Sequence, residues 1–474
     1  MLPGIKNEIL DFAMGVQGAQ TDGRFAAIGV AERGHGEGIL TFNDPAQIEP
    51  AIGDGPLRDL LVSALSIART PVSVIVLEGS IPGTVSAVES GVENQGSGSI
   101  AVTGSPRNEY DIRLAIETGG GLNEATFRLT IDSLPGRLLT VPDDDEDGAK
   151  YIIPGTGLVI EFDPGAKGFV EGDTFSFTTT EPKATNGEVL KAVGEIFEAK
   201  LSIEFIAIAG ISSAPLWAAL ATKANEASEI YQYLFFVVQS RYLADGETVD
   251  QWKNLLCGAE RGNTASTRLQ VCAGWIEEAD ANGQVDVRGL IGTYCGTLAA
   301  RKVQDGPDAV KFGGITAAVN IKPDGLNDGH IEDLKNAGYV TVRKYVGRKG
   351  IFITSGQMMS EEGSDFDMVE RRRVMDKACR NLYIAQLPAV NDTVRIGKDG
   401  SPEGLEMFVA KSEQPLEIMK TNREISDGYV FIPPGQNILA DKKLRTKVRI
   451  VPLGKMSYIE NEIAYMNPAL GGTE

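Results

Sequence analysis

The chain has 474 residues, with 45 Lys and Arg against 65 Asp and Glu, for a formal net charge of −20. That excess disfavours general nucleic-acid binding, which rests on cations neutralising phosphates. Two histidines, four scattered cysteines (Cys257, Cys272, Cys295, Cys379) and no Cys-x-x-Cys pair make a structural zinc site implausible. The same cysteine usage fits buried thiols in a reducing compartment better than a disulfide framework. The opening residues lack a basic and then apolar signal pattern, and no apolar run nears the ~20 residues of a membrane span. The expectation is a soluble, cytosolically made chain of about three domains, with no membrane insertion.

In chain order, Phe25–Val30 and Val72–Leu77 are short apolar runs suited to strands buried on both faces. Between them Leu57, Leu60, Leu61, Ala64, Leu65 and Ala68 recur at helical spacing. The alternation resumes at Thr185-Asn-Gly-Glu188, a capping-box signature ahead of Leu190, Val193, Ile196 and Phe197. Strands are predicted at Ile203–Ala209, Tyr233–Val238 and Leu269–Ile276. Helices are predicted around Leu216–Ala227, Val249–Cys257 and Val287–Lys302. Repeated units of this length imply an open, largely parallel α/β sheet.

Residues 80–182 break the rhythm. Period-2 segments such as Tyr110–Ile116, Thr126–Ile131 and Leu158–Phe162 are separated by Gly, Asp and Asn clusters, which predicts an antiparallel β-sandwich or barrel. This stretch alone holds 17 acidic and 6 basic residues. Because α/β segments flank it, it reads as a domain inserted between an α/β strand and its next helix. Many of the 55 glycines fall in its turns.

Beyond residue 322 the pattern changes again. A short helix from Ile331 ends at Gly338, a C-cap residue. Tyr339–Val346 and Gly350–Thr354 form a hairpin-like pair, a long helix runs from about Asp365 to Ala385, and strand signals follow to the end. This third is nearly neutral, with 21 basic and 22 acidic residues, so copies of it meet without large net repulsion.

No motif for catalysis stands out. Gly-x-Ser-x-Gly, the P-loop and His-Glu-x-x-His are all absent, and Gly34-His-Gly-Glu-Gly38 lacks dinucleotide spacing. His35 and His330 are the only histidines, and His330 reads as a solvated turn residue. Asp143-x-Asp145-x-Asp147-Gly148 opens like a calcium loop, but Pro154 stands where the twelfth-position Glu is needed. A hydrated turn is the better reading, and no cofactor or metal is implied.

Two basic features remain. On the long helix Arg373, Lys377 and Arg380 share a face opposite Met368, Met375, Cys379 and Leu382. That face is either simply solvated or a cationic ridge for an acidic protein partner. In Lys443–Ile450 the basic residues Lys443, Arg445, Lys447 and Arg449 alternate with Leu444, Thr446, Val448 and Ile450, as in a strand with one basic and one buried face. A second strand is predicted over Met456–Tyr465, including Tyr458, Ile459 and Ile463. The pair closes its own hairpin or adds strands to a neighbouring subunit; DNA binding by the four basic residues is a third reading, weakened by the near-neutral surroundings.

The order Ile331-x-x-Leu334, Gly338-Tyr-Val340, Gly350-Ile-Phe-Ile-Thr354 and then a helix carrying Val369-x-Arg371-Arg-Arg373 resembles the contractile tail sheath proteins of bacteriophages and related injection machines. Where many members carry a Trp near the start of that helix, this chain has Phe366. The resemblance implies an α/β core (21–79 and 183–322), an inserted β domain (80–182), an α+β sheath-type domain (323–440) and extended arms (1–20 and 441–474). It implies a structural polymer and not an enzyme: hexameric rings of this chain stacked around an inner tail tube, meeting a baseplate and a tail terminator, with no nucleic acid bound. Such a subunit is assembled in the bacterial cytoplasm and resides in a virion tail or extracellular contractile particle. Arg373, Lys377 and Arg380 become tube-facing residues, and Leu444, Thr446, Val448, Ile450, Tyr458, Ile459 and Ile463 become an inter-subunit strand arm. Glycine pairs such as Gly313-Gly314 would serve as hinges between two packings. The competing classes are an α/β enzyme with an accessory β domain, or another virion structural protein such as an adhesin or capsid component.

Overall fold

The structure is a computed structural model that describes residues 21–144, 148–279, 283, 285–398 and 400–465. The arm proposed for residues 1–20 and the middle of the acidic run, Asp145–Asp147, lie outside the described residues. Two compact units are present; the first ends at Ile384 and the second begins at Ala385.

The first unit is organised on a seven-stranded sheet. From one edge its strands are Tyr339–Val340, Leu269–Cys272, Phe235–Gln239, Phe205–Ile211, Phe25–Val30, Val72–Leu77 and Ile39–Phe42. All pairs are parallel except the last. Parallel strands buried on both faces need apolar side chains in both directions, which the runs at 25–30 and 235–239 supply. Register places Phe25, Phe205 and Phe235 side by side, with stacked rings 4.8 and 5.4 Å apart.

Helices cover both faces. Pro56–Ile67 and Ile291–Ala300 pack on one, while Asn186–Glu198 and Ala214–Glu229 pack on the other. The capping box forms: Thr185 Oγ1 accepts from the Glu188 N–H, and the Thr185 N–H donates to Glu188 Oε2 at 2.7 Å. The helices 56–67 and 291–300 approach unusually closely because Gly292 and Gly296 face the first. A Cβ on Gly296 would stand 2.6 Å from the Ala64 carbonyl oxygen. Gly296→Val is therefore expected to lower stability by about 2–3 kcal/mol, read as a shift in urea midpoint.

Residues 89–178 form two antiparallel sheets around one apolar core of their own. The larger contains Asp111–Thr118, Thr126–Ile131, Leu134–Thr140 and Thr174–Thr178; the smaller contains Ser99–Gly104, Leu158–Asp163 and Lys150–Ile153. The chain leaves the main sheet after Leu77 and regains it at Phe205, so these strands lie between two sheet neighbours of Phe25–Val30.

Several expectations need correction. The predicted strand Leu269–Ile276 is two strands: pairing with the main sheet stops at Cys272, and Trp275–Ala279 joins an antiparallel sheet with Val285–Gly289 and Ala318–Lys322. The break comes at Ala273-Gly274, whose two N–H groups both donate to the Val340 carbonyl. The predicted helix 287–302 accordingly begins only at Ile291. The boundary expected at 322/323 is absent, because Tyr339–Val340 completes the main sheet and Val369 belongs to its core. In the second unit a helix, Glu406–Thr421, replaces the expected strands. It tolerates Pro415 in its interior and buries Ser412, Leu416 and Met419 at helical spacing.

Candidate assembly interface

The long helix is observed at Val369–Gln386, but its cations do not form a ridge. Arg373 is completely buried, which corrects the expectation that it faces a partner. Its Nε donates to Glu204 Oε1 at 2.7 Å and its Nη2 to Glu204 Oε2 at 2.9 Å. The same Nη2 also donates to the carbonyls of Leu298 and Arg301. Glu204 is equally buried and accepts a further bond from the Gly23 N–H. Burial pushes its carboxyl up, but the Arg373 charge and hydrogen bonds outweigh that and hold it below the usual range.

One turn away, Asp376 is buried between two arginines. Arg268 reaches it with both Nη atoms at 3.0 Å, and Arg372 Nη2 donates to Asp376 Oδ1 at 2.7 Å. Lys377 pairs with Asp22, and Arg380 Nη1 donates to the Tyr233 carbonyl at 2.8 Å. These bonds tie the helix to the sheet, so most of its charge is internal structure. Neither Glu204 nor Asp376 was singled out from sequence. The available signal was a carboxylate next to the Phe205 strand and another one turn from three consecutive arginines.

His330 is not a free turn residue. It sits in the first turn of the helix Asp328–Asn336, where Nδ1 accepts from the Asn327 N–H and Nε2 lies 2.9 Å from Asp250 Oδ1. The proposed glycine hinge is asymmetric: Gly313 is open, but a Cβ on Gly314 would come 2.8 Å from the Ile351 carbonyl oxygen.

The terminal segment lies in the second unit. Leu444, Thr446, Val448 and Ile450 are half-buried, while Lys443, Arg445, Lys447 and Arg449 are exposed. Regular strand geometry covers Lys447–Val451, which pairs antiparallel with Asp427–Phe431. This ribbon has only two strands, so each has an outer edge with no strand beside it among the described residues. Its partner is not the segment expected. Among the described residues Met456–Tyr465 has no strand pairing, and Asp427–Phe431 is the strand beside Lys447–Val451. Tyr458 is 83% exposed, Ile459 69% and Ile463 90%. Among the described residues nothing covers these apolar side chains.

The fold is similar to those of solved sheath proteins. The chain aligns over 99% of its length with the sheath of an extracellular contractile injection system, PVC, in the contracted state (99% of that chain, TM-score 0.56, 10% identity). It likewise aligns over 98% with the contracted helical sheath of the anti-feeding prophage (99% of that chain, TM-score 0.52, 12% identity). For the sheath tail protein of Desulfitobacterium hafniense the values are 96% of this chain, 100% of that one, TM-score 0.50 and 14% identity.

The chain belongs to the DUF2586 family, whose N-terminal domain matches residues 2–357 and whose C-terminal domain matches residues 365–470. It is also 26% identical over 223 residues to a putative tail sheath protein of Haemophilus phage HP1, 44% of this chain and 54% of that protein. The match therefore spans about half the length of this curated relative.

Proposed function

We propose that the chain is the subunit of a contractile sheath, in a phage tail or an extracellular contractile injection particle, and that its work is assembly and contraction, not catalysis. The observation that carries this reading is the segment Met456–Tyr465, with its exposed apolar side chains and no strand pairing among the described residues, in the same unit as an open-edged β-ribbon. A segment with no partner among the described residues fits a neighbour's sheet edge, where main-chain bonds supply affinity and alternate side chains supply register. The near neutrality of residues 323–474 lets copies approach.

On this reading the partners are further copies in stacked hexameric rings, an inner tail tube, a baseplate and a tail terminator. A tube contact by the long helix falls to Lys377 and Arg380, which are only partly buried, since Arg373 is sealed inside. The fold likeness to two contracted sheaths, and the phage relative's description, support the same class of assembly. Sedimentation of the purified chain tests it. Species many times the 50.6 kDa subunit, growing with concentration, are expected; one small discrete particle at every concentration would contradict it.

A further inference from the structure

Between the inserted β domain and the main sheet lies a cleft of about 820 Å³. The insert's apolar core is separate from the cores on either side of the sheet, and many charged side chains line the cleft between them. Its covalent link is a two-stranded ribbon. Ile81 and Lys183 exchange backbone hydrogen bonds, and the Thr180 N–H donates to the Thr84 carbonyl.

Three side chains of the insert reach across. Tyr110 Oη donates to Asp54 Oδ2 at 2.7 Å, and Asn108 Nδ2 donates to Asp59 Oδ2 at 2.7 Å and Asp54 Oδ1 at 3.2 Å. Arg107 Nη1 pairs with Glu32 at 3.0 Å. Asp59 is anchored from below by Arg58 and Arg288.

Several carboxylates line the rest of the cleft. Glu109 of the insert and Glu181 of the return segment both border it, and Glu181, Lys183 and Asp132 all act electrostatically on Glu109. Asp132 accepts from the Asp111 N–H and is opposed by Asp286, with Arg288 as the compensating cation. Glu181 accepts from the Ile211 N–H, with Lys183 and Asp59 also within its field.

We propose that this cleft is a charge-set hinge: the Tyr110, Asn108 and Arg107 contacts hold the insert against the sheet, and the cleft carboxylates push it away. Like charges in a confined, poorly hydrated space repel, and protonation removes the repulsion without touching the latch acceptors. Loss of solvent and then the Glu181 charge push the Glu109 carboxyl up to about 7. Burial pushes Asp132 up to about 6, and it pushes Glu181 up as well. These groups bind protons more tightly in the closed protein than in an open chain, so closure is favoured at low pH and opposed as pH rises through 6 to 7. The device is independent of polymerisation.

The test is a spin-label distance in the full chain carrying Glu171→Cys in the insert and Asn225→Cys on the helix Ala214–Glu229. Cys257→Ser and Cys379→Ser clear the background, and unlabelled chain dilutes the sample so that only intrachain pairs are read. Between about pH 5.5 and about pH 8 the distance distribution is expected to lengthen and broaden, with its midpoint between about 6 and 7. Glu109→Gln with Glu181→Gln should remove most of that lengthening, and Tyr110→Phe should lengthen the distance even in acid. A distance that ignores pH, or a Gln pair that titrates like the parent, overturns the proposal.

Discussion

Deleting residues 452–474 is expected to abolish assembly while leaving the subunit folded. Residues 452–465 contribute little regular structure to their own chain: the Pro452 carbonyl accepts a bond from Ser426 Oγ, but among the described residues the segment makes no strand pairing, and Met456, Tyr458, Ile459, Ile463 and Tyr465 are all widely exposed. Their removal should therefore shift the melting temperature little. Buried against a neighbour, each large apolar side chain is worth about 1.5–3 kcal/mol, before the cost of ordering the segment. Losing several per contact, repeated at each contact of a ring, is enough to dissolve a polymer. A milder pair, Ile459→Asp with Ile463→Asp, should do the same by placing charge where burial is needed. Pelleting and circular dichroism read the two halves of the prediction separately.

The second large effect lies in the buried pair. Arg373→Met leaves Glu204 uncompensated at zero exposure and is expected to cost about 3–5 kcal/mol, well above an average substitution. The double change Glu204→Leu with Arg373→Met should recover much of that loss, since an apolar pair carries no desolvation penalty. The pH dependence separates the variants. In the parent the Glu204 carboxyl lies below its ordinary range, so the stability it contributes is present above the unfolded value of about 4.3 and is lost as pH falls further. In Arg373→Met the stranded carboxyl prefers to be protonated, so the deficit against the parent should shrink as pH falls from about 7 to about 5. Thermal unfolding at these two pH values checks the sign as well as the size.

What could be read from sequence depended on how local its cause was. The capping box at Thr185 and the buried runs 25–30 and 235–239 are local patterns, and the strands and helix appear within two residues of expectation. The period-2 segments of the insert likewise became antiparallel strands around a shared core. The long helix was legible as a helix but not in its orientation. Spacing put Arg373, Lys377 and Arg380 on one face, and polarity suggested that the face was outside. Glu204, 169 positions away, makes the inside a better place for Arg373. Pairing over that distance leaves no trace in a helical window. The Glu406–Thr421 helix was missed for the opposite reason, since Pro415 in its interior is a local signal that tertiary packing of Leu416 and Met419 overrides.

The terminal segment is the instructive case. Its alternation predicts a strand, and a strand needs an edge to pair with. Asp427–Phe431 occupies one side of Lys447–Val451, and among the described residues Met456–Tyr465 has no strand partner. On the proposed reading the partner lies on another copy.

Electron microscopy of the purified full-length chain tests that central claim most directly. Rings or helical tubes, with density for residues 456–465 lying along a neighbouring subunit's β-ribbon, are the predicted result. A monodisperse particle of one subunit at high concentration, or tubes in which that segment touches only its own chain, would contradict it.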